Sequence, residues 1–186
     1  MALARSRTPS RLVATHPIPL PPDSCPLLPD SVRAIQTSRA KAAEWNIDQT
    51  RIAATGRSAG AFTSLWIALH DDLADPESND PIARESSRVS CAALDVPQTS
   101  LDPKQLREWT PNSRYGGHAF GITDISKPHD RKGRDSRFQD FYDAREKLLP
   151  WIKEYSPIEW VSSDDPAIYL FYSGLRGGGR RAHLEF

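Results

Sequence analysis

Apolar positions along the chain follow two periods. At three- and four-residue spacing, Val32, Ile35, Ala42 and Trp45 fall near one face of a stretch that starts at Asp30, with Arg33, Arg39 and Lys41 turned outward. Asp30 has N-cap chemistry there, and Asn46 and Asp48 punctuate the end. Phe62, Leu65, Trp66 and Leu69 repeat at i, i+3, i+4 and i+7, which predicts a second helix packed on a sheet. A third stripe runs through Phe138, Phe141, Tyr142, Ala144, Leu148 and Leu149, and Pro150 is expected to kink it or to start a new turn. Short apolar runs predict buried strands over 51–55, 89–96 and 167–172, with one more short strand over 11–15. The order strand–helix–strand–helix–strand is that of an α/β protein. Its first β-α-β unit implies a right-handed crossover and a parallel strand pair.

Polar and irregular stretches divide these elements. Residues 70–87 are acidic and polar, with Pro76 and Pro81, and read as a surface loop. Residues 97–135 are rich in Pro, Gly, Asn and Ser, with a short helix expected over 103–109. A stretch of that length with weak periodicity suggests a lid-like insertion over a site. The chain is therefore divided into an irregular Pro- and Arg-rich segment 1–29, an α/β domain 30–173, and a Gly- and Arg-rich tail 174–186.

Composition narrows the function classes. A chain of 186 residues can bury one core. Its 24 basic residues balance 24 acidic ones, which gives no electrostatic ground for binding nucleic acid or an anionic membrane. No apolar run approaches the roughly 20 residues of a membrane span. Cys25 and Cys91 have no framework spacing and read as free thiols of a reducing compartment, so the expected location is the cytoplasm. The five histidines are isolated, so neither a metal nor another cofactor is expected. Residues 1–22 lack the apolar stretch of a secretory signal, and the alternative to an irregular tail there is a short transit peptide.

The chemistry concentrates in Gly56-Arg57-Ser58-Ala59-Gly60, which follows the first predicted strand and opens the second predicted helix. A serine at the tip of a strand–turn–helix corner has its hydroxyl lifted above the sheet. Small residues at 56, 59 and 60 let strand and helix approach, and the helix N-terminus favours a developing negative charge.

With these residues the chain resembles the α/β-hydrolase superfamily, in particular the bacterial esterase/lipase branch related to hormone-sensitive lipase. The resemblance is carried by Asp30-Ser-Val-Arg-Ala-Ile-Gln36, by Lys41-Ala-Ala-Glu-Trp-Asn-Ile-Asp48 and by Arg51-Ile-Ala-Ala-Thr-Gly-Arg-Ser-Ala-Gly60. Ser64-Leu-Trp66 and His70-Asp-Asp-Leu-Ala-Asp75 extend it, and it covers about 26–173. It implies a partial α/β-hydrolase fold, a mainly parallel sheet flanked by helices and apparently truncated at both ends. It also implies hydrolysis of short-chain carboxylic esters through an acyl-serine, with Ser58 as nucleophile and the Ala59 backbone N–H as an oxyanion donor.

Other parts of the family's machinery do not fall in place. The family's H-G-G-G-type loop has no counterpart before Ser58, and Gly177-Gly-Gly179 lies at the other end. The triad acid is expected after the strand 167–172, where only Glu185 follows. His183 satisfies the chain order for the histidine. His118, in Tyr115-Gly-Gly-His118 of the lid-like segment, is a second candidate base, and Asp95, at the end of the second strand, is a candidate acid. His16, His70 and His129 have no supporting context. Trp109, Tyr115 and Phe120 are candidates for an acyl pocket. The alternative reading is a catalytically impaired hydrolase-like fragment or binding module that lacks the acid and histidine. A peptidase or acyltransferase on the same fold is a third. Two open sheet edges predict pairing with another copy of the chain or poor solubility.

Overall fold

The computed structural model describes residues 27–122 and 131–172. The expected strand 11–15, the tail 174–186, Cys25, His16, His129, His183 and Glu185 lie outside the described residues. Helix α1 spans Leu27–Ala40 and α2 spans Ala42–Trp45. The first helix starts three residues before the expected Asp30, which sits inside its first turn. Asn46 closes α2 in the left-handed conformation, φ 54°, a role its short polar side chain tolerates.

Strand β1 (Ala53–Arg57) leads through Ser58 into α3 (Ala59–Leu69), and β2 is Cys91–Asp95. Then come α4 (Pro103–Trp109), a 3-10 turn at Gly117–Phe120, α5 (Arg131–Asp143) and α6 (Arg145–Tyr155). A 3-10 turn at Pro157–Trp160 precedes β3 (Ala167–Phe171). The strands form one parallel sheet in the order β1-β2-β3. This is a partial α/β fold, a parallel sheet flanked by helices.

Strand register explains why, among the described residues, only one sheet face is covered. Ala54, Ala92 and Ile168 stand side by side, as do Gly56, Leu94 and Leu170, and these rows face α3. Ala54 and Ala92 are small enough to bring α3 close, and Leu65, Trp66, Ile67, Ala68 and Leu69 complete the first core. The alternate rows point the other way. Thr55, Ala93 and Tyr169 are exposed, and so are Ala53, Cys91 and Ala167. The expected buried strand at 51–55 is therefore a half-buried one displaced by two residues. Its small side chains read as apolar but cannot tell which face is covered.

Part of the expected lid-like segment instead builds a second core. Leu101, Leu106 and Phe120 pack with Phe138 and Phe141 of α5 and Ile152 of α6. Asp102 caps α4 by accepting the Lys104 backbone N–H at 2.8 Å, so the short helix is where the sequence places it. The long helix predicted through 138–149 is broken at Ala144 rather than at Pro150, which lies inside α6. The loop after α3 is tied down by Gln36, whose side-chain N–H donates to the Glu85 carbonyl at 2.9 Å. Its first residue, His70, is buried, so the surface reading fails there. Among the described residues no helix is long and apolar enough to cross a membrane.

Candidate active site

Strand β1 points its carboxyl end at the N-terminus of α3, and the corner between them is Ser58. Its backbone sits at φ 52°, ψ −117°, which costs a residue with a Cβ about 1–3 kcal/mol. The surroundings hold it there. The Ser58 N–H donates to the Asp95 carbonyl of β2 at 3.0 Å, and its own carbonyl accepts the Phe62 N–H at 2.9 Å, the first bond of α3. The side chain makes no capping bond, so the hydroxyl is left exposed at the helix entrance. Ala59 is the first helical residue, and N–H groups of a first turn have no partner inside the helix.

The two glycines of the motif differ. A Cβ on Gly56 would lie 2.4 Å from the Gly60 carbonyl carbon and 2.7 Å from the Ala61 nitrogen, backbone atoms that cannot yield. Gly56 is the close contact between strand and helix. A Cβ on Gly60 meets nothing within 4 Å. The expectation that both positions serve that approach holds for Gly56 alone.

A second strained residue lies next to this corner. Val96 has φ 55°, a left-handed conformation that a β-branched side chain resists. Its N–H donates to the Phe171 carbonyl at 2.6 Å, and the Tyr172 hydroxyl donates to the Pro97 carbonyl at 3.1 Å. Nothing in the local sequence signals it, because a residue before proline is normally extended.

The other candidates are placed as follows. Asp95 lies beside Ser58 through its backbone, while its carboxylate pairs with Arg57 (Nε to Oδ2, 3.2 Å). His118 sits in the 3-10 turn against the edge of Tyr115, ring centroids 4.5 Å apart, and partial burial pushes its imidazole below the ordinary histidine value. Of the residues expected to line an acyl pocket, Phe120 is buried against Phe141 and Trp109 is exposed, so they do not form one wall. The described groove of about 640 Å³ lies elsewhere, between the C-terminal half of α3 (Leu65, Leu69) and β3 (Ile168, Leu170). Among the described residues no group of three or more His, Cys, Asp or Glu side chains is arranged to hold a metal.

No protein-family model matches this chain, and no curated protein matches it. Solved structures do. An acetyl ester–xyloside bifunctional hydrolase from Caldicellulosiruptor lactoaceticus matches with a TM-score of 0.51 and 25% identity, over 77% of this chain and 42% of that one. A truncated carbohydrate esterase from gut microbiota matches with a TM-score of 0.50 and 22% identity, over 78% and 48%. The chain thus spans less than half the length of either protein. The partial α/β fold described above is the fold that this chain shares with these esterase structures.

Proposed function

We propose that the chain is a serine ester hydrolase, with Ser58 as its nucleophile. The observation that carries this reading is the backbone of Ser58, strained, exposed and fixed at the entrance of α3. Strain of that kind persists only where neighbouring structure enforces it, and it concentrates at functional sites. The likeness to esterase structures supports the same chemistry, and the acetyl ester named for one of them supports short acyl groups.

The reaction follows from the corner. Ser58 Oγ gives its proton to a base and adds to the ester carbonyl. The resulting oxyanion faces the Ala59 N–H and the positive end of α3. The alkoxide leaves with the proton, and water then cleaves the acyl-serine by the same route. A serine at its ordinary pKa needs that base within hydrogen-bond reach. His118 and His183 are the histidines assigned to test for it. Asp95 is the candidate orienting acid, and its ion pair with Arg57 competes with that role. The same ion pair favours the second reading, an impaired hydrolase-like module, since it occupies an acid the triad would use.

Two finer assignments accompany the proposal. The chain pairs with a second copy through an open sheet edge, next to the exposed Tyr169 and Phe171, and it works in the cytoplasm, where the exposed thiol of Cys91 stays reduced. Light scattering at tens of micromolar should show a species heavier than 20.8 kDa; a monodisperse monomer contradicts the pairing. The test of function is hydrolysis of p-nitrophenyl acetate by the purified chain and its Ser58→Ala variant. Turnover lost in the variant supports the reading. Equal, near-background rates in both overturn it.

A further inference from the structure

The far end of α3 holds a second unusual group. His70 closes the helix with its imidazole between two indoles, 4.2 Å from the Trp66 ring centre and 3.8 Å from that of Trp160. Its Nδ1 lies 2.9 Å from the Asp71 carbonyl oxygen. A carbonyl only accepts, so Nδ1 carries the hydrogen and, in the neutral ring, Nε2 is a bare lone pair. Nε2 is buried without a hydrogen-bond partner among the described residues, and a Glu154 carboxylate oxygen lies 3.5 Å away. Two acceptors face each other across that gap. One proton reconciles them.

The rest of the cluster is already a joint between elements. The indole N–H groups of Trp66, on α3, and Trp160, in the 3-10 turn, both donate to the Glu154 carbonyl of α6, at 2.9 and 2.8 Å. The other charged groups at this joint are accounted for. Arg88 donates to the His70 carbonyl at 3.3 Å and pairs with Asp164 at 3.0 Å. Asp72 is bonded to Ser87 and the Ala74 N–H. Tyr155, next to Trp66, has its phenol pushed above the usual value by burial and then by the Glu154 carboxylate. Asp71 and Glu159 are exposed.

We infer that His70 and Glu154 form a proton-operated clamp that locks the base of the Ser58-bearing helix onto α6. The proton comes from solvent, which reaches Glu154 (34% exposed) far more than His70 (7%). It resides on Nε2 and is donated to Glu154 Oε1, and the imidazolium gains the faces of both indoles. Because the clamp exists only in the folded chain, the folded chain holds this proton more tightly than the unfolded chain does. Stability from this source therefore falls as pH rises through the histidine range.

Nitrogen NMR of the histidine rings, with the indole N–H resonances of Trp66 and Trp160, tests the clamp between pH 5.5 and 8. At pH 8, His70 should hold its hydrogen on Nδ1. On acidification Nε2 should gain one, and both indole signals should move with the same midpoint. Urea unfolding should show the folded-to-unfolded ratio of the wild type rising from pH 8 to 5.5 by about tenfold more than in His70→Gln. Glu154→Gln removes the facing carboxylate while its amide can donate to Nε2, so it should fold and lose the same pH dependence. An Nε2–H tautomer at pH 8, or equal pH dependence in the wild type and Glu154→Gln, overturns the clamp.

Discussion

Two stretches a few residues apart in the chain are built on opposite principles. At 95–97 and the adjoining Ser58 corner, the backbone is strained twice and the hydroxyl of Ser58 is left in the open. At 100–102 the polar groups are closed into a network. Ser100 Oγ donates to Gln105 at 2.5 Å and accepts the Asp102 N–H at 3.0 Å, and Ser156 Oγ accepts the Leu101 N–H at 2.9 Å. Asp102 takes two bonds from Arg145, at 2.8 and 2.7 Å. The satisfied stretch anchors α4 and α6 in the second core. The strained one lies at the carboxyl ends of β1 and β2, with Ser58 exposed, where α/β sheets place their chemistry.

Substitutions separate the two kinds of region. Ser58→Ala should remove activity by a factor of at least about 10³ while leaving the unfolding midpoint nearly unchanged, because alanine meets the same backbone cost. An ester assay and a urea titration of the same preparation read both. Gly56→Ala comes next. Its Cβ is forced into the backbone of Gly60, so chemical denaturation should show a loss of about 3 kcal/mol.

Asp102→Asn strikes the satisfied network and should cost about 2 kcal/mol at neutral pH, because Arg145 keeps some access to water. Burial opposes the charged form of Asp102, but the Arg145 guanidinium and the Lys104 N–H outweigh it, so the carboxyl titrates below its ordinary value. A depressed folded value means that this stability is present above the unfolded value of about 4 and is lost as pH falls through the folded one. The gap between Asp102→Asn and wild type should therefore close in acid, as measured by unfolding at pH 7 and pH 2.5. The smallest effect has the opposite sign. Ser58→Gly relieves the left-handed backbone and should raise stability by about 1 kcal/mol, with activity lost.

The sequence carried the parts of this fold that local chemistry decides. The α3 stripe, the short helix over 103–109 and the Gly56–Gly60 corner are each written in fewer than about a dozen residues and appear where expected. What it did not carry depends on neighbours distant in the chain. Ala53, Ala93 and Cys91 look as apolar as Ala54 and Ala92, and only register and the position of α3 sort them into exposed and buried rows. His70 sits in an acidic, polar stretch, yet Trp160 reaches it from a turn 90 residues later. Val96 precedes a proline and gives no hint of a positive φ. The pairing of Arg57 with Asp95 became visible only once β1 and β2 lay side by side.

The most direct measurement is covalent. The chain would be treated with a fluorophosphonate ester, digested, and its modified peptide located by mass spectrometry. A single adduct on Ser58 is expected, formed at a rate that depends on folding and is lost in urea. An intact chain with no adduct, or an adduct on a serine other than Ser58, contradicts it.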